Sequence, residues 1–294
     1  MGPLDHLRRA TFHSIAAQGD VRPTNRALRW MGHIARHGPQ SSGYLYELTR
    51  ATHRCKDTAL RELQRLRAGG LLCLPPQQRQ VARAEFNPYV YDLTERGKGC
   101  LRDHGHAVPP RPVSGHWQHQ YLTASVTSAI DIAAVRDGVR YIPQHEILAR
   151  KGATLGIPLN GRLLIPDQLF ALDYGGSYRA FVLEVDRGTE PQTSRAARKS
   201  LESMLEAYQA LLPQGALNAH YGLRASIALL IVVTRRSRAE QVRILARELG
   251  GAFADALLVR VAEPSAGRTM DDMLDGWQRA DGTPFNLGRA IVPK

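Results

Sequence analysis

Apolar residues fall into helical spacing from residue 24 onward. Leu28, Met31, Ile34 and Ala35 lie on one face of a helix that opens near Asn25, with Thr24 in position to cap it and Gly38-Pro39 to stop it. A second short helix, 42–49, follows at once. After a turn over 50–54, Ala59, Leu63 and Leu66 mark the inner face of a helix over 55–68 that Gly69-Gly70 end. The stretch LLCLPPQQRQVARAEFNPYVYDLTERG then reads as a strand, a loop rich in Pro and Arg, and a returning strand 89–93 that leads into a helix near Thr94.

Pro109, Pro110 and Pro112 mark a linker, because closely spaced prolines hold the chain extended and semi-rigid. The expected division is an arm over 1–22, a first domain over 23–108, the linker 109–115, a second domain over 116–262 and a tail over 263–294. In the second domain a helix over 117–135 precedes a helical stretch 141–150 that carries Glu146. Two strands, 161–173 and 180–186, flank Gly175-Gly176. A helix over 194–212 places Leu201, Met204, Leu205 and Tyr208 on one stripe. A strand 227–234, a helix opened by a capping box at Ser237–Glu240 and running to Leu249, and a strand 256–261 complete the pattern. This alternation predicts an α/β core with partly parallel pairing, within a chain that is α+β overall. The tail carries little pattern and is expected to wrap the surface.

With 43% hydrophobic residues, 294 positions suffice for two cores. Lys and Arg number 39 against 27 Asp and Glu, a formal charge of +12. Of this, +9 falls in the first 115 residues, from 18 basic and 9 acidic side chains. Such an imbalance points to a polyanionic partner, nucleic acid before others. The three cysteines include no C-x-x-C pair, which argues against a zinc or redox motif and fits reduced thiols in a cytoplasm. No run approaches the length of a membrane span and no apolar leader opens the chain, so no membrane partner is expected.

The segment YLYELTRATHRCKDTALRELQRLRAGGLL, followed by YDLTERG, resembles winged helix-turn-helix domains. That resemblance implies a recognition helix in the major groove of double-stranded DNA, with Arg54, Lys56, Thr58, Arg61 and Arg65 on it and Arg79 and Arg83 in the wing. Most such contacts position the protein on phosphates rather than read bases. The other reading is a basic three-helix module that binds protein.

If Gly175-Gly176 form a hairpin tip, Asp167 faces Glu184 across adjacent strands, and Asp186 shares a side with Glu184. Like charges so placed call for neutralisation, which a hard divalent cation such as Mg2+ provides. Pro166-Asp167 on one strand and Glu184-x-Asp186 on the next resemble the PD-(D/E)XK restriction-endonuclease-like superfamily, whose acids hold a metal for phosphodiester cleavage. Glu146 resembles the upstream acid of many members, whereas Asp186 stands where the superfamily usually has Lys.

The whole order, ending in EVDRGTEP from Glu184, resembles the replication-relaxation family of bacterial plasmid and mobile-element proteins. The resemblance implies DNA processing in the bacterial cytoplasm, at nucleoid or plasmid. Asp167, Glu184, Asp186 and Glu146 would be catalytic, with Mg2+ or Mn2+ on Asp167 and Glu184. His119, Arg187 and Lys199 would be accessory, Lys199 beside Arg195 and Arg198. Water or a tyrosine remains open as nucleophile. Set against this is a structural ion network of Glu184 and Asp186 with Arg162, Arg179 or Arg187. In that case the chain is a non-catalytic regulator whose nuclease-like fold serves for homodimerisation or docking of other replication or mobilisation proteins.

Overall fold

The computed structural model describes residues 19–52, 55–80, 88–110, 116–187, 201–262 and 272–289. Arg54, Arg83, Arg195, Arg198, Lys199 and the side chain of Arg79 lie outside the described residues. The chain divides into two compact units, the first running to Ala129 and the second starting at Ile130.

The first unit orders its elements as α1 (Asn25–His37), β1 (Gln40–Ser41), α2 (Ser42–Leu48), α3 (Lys56–Ala68), β2 (Leu72–Cys73), β3 (Val90–Leu93), α4 (Glu95–Asp103) and the front of α5 (Trp117–Arg136). Local chemistry sets these boundaries. The Thr24 hydroxyl accepts from the Ala27 amide to open α1 and donates to Glu62 Oε1 at 2.7 Å, so one cap also ties α1 to α3. Thr94 caps α4 in the same way through the Gly97 amide. Gly97 is required by packing as well, because a Cβ there would strike the Leu71 carbonyl oxygen.

Trp30, Met31, Ile34, Leu45, Leu63, Leu66 and Leu101 fill the core between the helices and the antiparallel sheet β1-β3-β2. Gln78 extends that sheet: its side chain donates to the Val90 carbonyl and accepts from the Val90 amide, doing the work of a strand partner. His33 and His37, both buried, pack with ring centroids 4.4 Å apart and planes tilted by 53°, and meet the hydroxyls of Ser128 and Thr127 on α5 at 2.7 and 2.9 Å. Buried polar groups are tolerated because each has a partner.

In the second unit, the remainder of α5 leads to β4 (Arg140–Pro143), α6 (Gln144–Ala149), β5 (Ile157–Leu159), β6 (Arg162–Leu164), β7 (Gln168–Asp173) and β8 (Tyr178–Asp186). Then come α7 (Leu201–Leu211), α8 (Ala216–Tyr221), β9 (Ser226–Val233), α9 (Arg236–Leu249), α10 (Gly251–Ala256), β10 (Leu257–Val261), β11 (Trp277–Arg279) and β12 (Pro284–Phe285). Seven strands form one mixed sheet in the order β12-β11-β10-β9-β8-β7-β4. β8, β9 and β10 run parallel, and the flanking pairs are antiparallel. β8 and β9 are buried along nearly their whole length, as the runs AFVLEV and IALLIVV require. Leu205, Tyr208, Val242 and Ala246 of α7 and α9 pack on Val182, Leu229, Ile231 and Val259 of one sheet face.

Four expectations from the pattern need correction. The stretch 141–150 is β4 followed by α6, because Tyr141 and Ile142 pair with β7 before Pro143 turns the chain into a helix. The strand 161–173 is two strands in two sheets, broken at Ile165-Pro166-Asp167 where proline supplies no ladder amide. α9 opens at Arg236 from an extended Arg235 with no side-chain cap, so Ser237 lies inside the helix rather than before it. The tail contributes β11 and β12, which extend the sheet past β10.

Candidate functional site

The hairpin register places Gln168 opposite Leu183 and Asp173 opposite Tyr178. Gly175 and Gly176, at φ 84° and 113°, form its tip, where Asp173 Oδ1 accepts both their amides. One step before β7, the Asp167 amide continues the ladder to the Leu183 carbonyl at 3.0 Å, and Asp167 Oδ2 accepts from the Val185 amide at 2.8 Å. Asp167 therefore flanks Glu184 from the neighbouring strand.

Glu184 is 4% exposed, and its Oε1 accepts from the Tyr208 hydroxyl at 2.7 Å. Burial pushes the Tyr208 hydroxyl far above the usual phenol range, and the charges of Glu184 and then Asp167 push it further. Tyr221 is raised too, by burial first and then by Glu184. Asp186, the third acid, is held by Arg238 of α9, Nε to Oδ2 at 2.6 Å, with side-chain exposures of 8% and 13%. Among the described residues, Asp167, Glu184 and Asp186 do not bring one oxygen each within 4.8 Å of one another. The arrangement is a pair of acids on adjacent strands beside a largely buried ion pair, and carboxylate oxygens of this kind are donors that a hard divalent cation could use.

Glu146, half exposed, takes Arg140 as its partner at 3.0 Å. Arg187 directly follows β8, and its carbonyl accepts from the Thr234 hydroxyl. His119 sits in the first turn of α5, in the first unit.

On α3, Ala59, Leu63 and Leu66 are buried, and Lys56, Arg61 and Arg65 are exposed. Thr58 is half buried beside Cys55, and Arg65 leans back towards Glu62 at 3.9 Å and the Arg22 carbonyl. Glu62 is clamped by Arg26 at 2.7 Å, which fixes the helix against α1.

A family model described as Replication-relaxation matches residues 31–227, well over half of the chain. The chain belongs to the replication-relaxation family. No curated protein and no solved structure matches it. Replication-relaxation membership points to a role in the replication or relaxation of a plasmid or mobile element, and so to association with DNA. No helix among the described residues is long and apolar enough to cross a membrane.

Sequence reasoning missed two residues of this candidate site, Tyr208 and Arg238. Tyr208 was legible only as a core position of its stripe; the usable signal was that a buried phenol needs an acceptor. Arg238 sits on the buried side of α9, beyond the matched residues, where a charge implies a buried counter-charge.

Proposed function

We propose that this chain binds plasmid or mobile-element duplex DNA through its first unit and nicks one strand with the carboxylates of its second. It is then a divalent-metal-dependent endonuclease of relaxase type. The cleavage half is carried by one observation, the placing of Asp167 beside the buried Glu184 on the neighbouring strand, with Asp167 Oδ2 on the Val185 amide and Glu184 on the Tyr208 hydroxyl. A bound Mg2+ or Mn2+ would supply Lewis acidity and a water of lowered pKa. Asp167 and Glu184 would hold the ion, and Tyr208 orients Glu184 by donating to it. With its raised pKa, Tyr208 keeps its proton and serves as donor rather than nucleophile. Asp186 stands neutralised by Arg238 and adds no net charge there.

The binding half is supported by α3, whose apolar face is buried and whose outer face offers Lys56 and Arg61. The first unit's order of helices and antiparallel strands suits a winged helix-turn-helix with α3 in the major groove. Lys56→Ala with Arg61→Ala is expected to weaken duplex binding and to flatten the slope of log K against log salt by about 0.9 for each phosphate left unneutralised. Fluorescence anisotropy titrations at several salt concentrations measure both; unchanged affinity and slope would remove α3 from the interface.

Cleavage is tested on supercoiled plasmid with Mg2+ or Mn2+. The wild-type chain is expected to open circles. Asp167→Ala and Glu184→Ala should each slow nicking on the order of a thousandfold, since a lost metal site forfeits several kcal/mol of transition-state stabilisation.

A second reading is favoured by the closed Asp186–Arg238 pair, which occupies the place of the motif lysine. On this reading the chain is a DNA-binding regulator that dimerises or docks other replication proteins without cutting. Tight duplex binding with no metal-dependent nicking would select it.

A further inference from the structure

Asp186, Val233 and Val261 end the three parallel strands at one level, because the register pairs Asp186 with Val233 and Val233 with Val261. Ligands of open α/β sheets gather at this carboxyl edge. Two strands along from Asp186, a cleft of about 470 Å³ opens between α9, β10 and β11. Arg236 and Arg243 of α9, Arg260 of β10, and Gly276 and Gln278 line it, with Glu240 as its one acid.

The arginines are held in place. Arg243 Nη1 meets Glu240 at 2.9 Å, and its guanidinium lies against Gly282, whose φ of 92° and lack of Cβ allow the approach. Arg260 donates to the carbonyls of Asp272 and Asp275, and its guanidinium lies against Gly276, at φ 76°. Arg243 Nε is a buried donor with no acceptor among the described residues, a state that costs free energy until an acceptor arrives. Arg236, exposed at the start of α9, forms no ion pair among the described residues. Three forked cations against one carboxylate leave the cleft with a net positive charge, and guanidinium geometry matches a phosphate.

We propose that this cleft is a subsite for a backbone phosphate of a single DNA strand running along the carboxyl edge of the sheet. Strand spacing of about 4.8 Å puts β10 roughly 10 Å from β8, so the phosphate held here lies about two or three nucleotides from the acid pair. The choice of DNA as the ligand rests on the proposed function. Arg238, two residues beyond Arg236, links the two places through α9: one turn of helix neutralises Asp186 and lines the cleft.

The test uses the full chain carrying Lys56→Ala and Arg61→Ala, so that duplex binding by α3 does not mask the signal. Anisotropy of a labelled twelve-nucleotide oligo(dT) is expected to show at least about tenfold weaker binding on adding Arg236→Ala and Arg243→Ala. The salt slope should flatten by about 0.7 for each phosphate that the arginines no longer neutralise. Arg243→Lys, which keeps the charge but loses the fork, should fall between, and circular dichroism checks that each variant is folded. Folded variants with unchanged affinity and slope overturn the proposal. Displacement by inorganic phosphate as effective as by unlabelled oligonucleotide also overturns it, since the cleft then takes a free anion. A wild-type chain that binds the oligonucleotide through these arginines but does not nick supercoiled plasmid with Mg2+ or Mn2+ counts against the cleavage reading and not against this one.

Discussion

Replacing Arg238 with alanine is expected to destabilise the second unit by about 3–5 kcal/mol, because it strips a largely buried carboxylate of its guanidinium. The cost comes from desolvation. A buried pair repays that penalty only while both members stay, so removing one leaves Asp186 charged in a poor solvent for charge. Replacing both, as Asp186→Leu with Arg238→Met, should cost far less, since it removes attraction and penalty together. Urea unfolding of the two single variants and the double variant measures the coupling. If Arg238→Ala lost less than about 1 kcal/mol, the value of an exposed pair, Asp186 would not be closed off in solution.

Stability is expected to fall steeply as pH rises above about 10. Burial raises Tyr91 in the first unit and Tyr174 in the second to about 12, and Tyr208 and Tyr221 rise as well, with Glu184 adding its charge to burial in both. In the folded chain these phenols hold their protons, whereas the unfolded chain releases them near pH 10. Their contribution is therefore fully present below the unfolded value and is lost as pH climbs towards the folded one. Each such tyrosine contributes a slope of about 1.4 kcal/mol per pH unit in that window. The three in the second unit together give a slope of about 4 kcal/mol per unit. Denaturant unfolding at about pH 9 and pH 11 measures the fall, and Tyr221→Phe should reduce it. Equal stability at both would mean that the phenols are hydrated in solution.

Much of this was legible because local chemistry dictated it. Thr24 and Thr94 cap helices where a hydroxyl before an apolar period should, and Gly175-Gly176 set a hairpin whose register carries Asp167 to Glu184. Where reading failed, the decisive partner lay far along the chain or the element was too short for a period. Tyr141 and Ile142 fit a helix stripe as well as a strand, and only pairing with Leu172 and Ala171 of β7 decides between them. β11 and β12 have three and two residues, fewer than any alternation needs. The acids were visible in the candidate site, but their partners were not. Tyr208 and Arg238 reach Glu184 and Asp186 from helices 24 and 52 residues downstream, across separations that periodicity does not report.

The strand order of the large sheet also bears on how the molecule comes into being. Its parallel centre needs β9 and β10, and its far edge is laid down by Trp277–Arg279 and Pro284–Phe285, after the other strands of that sheet. All described residues of the first unit precede Ile130, so they can pack while synthesis continues. The second cannot cover the flank of β10 until β11 has emerged. During that interval the apolar run Leu257–Val259 offers unpaired amides and carbonyls to any neighbouring chain.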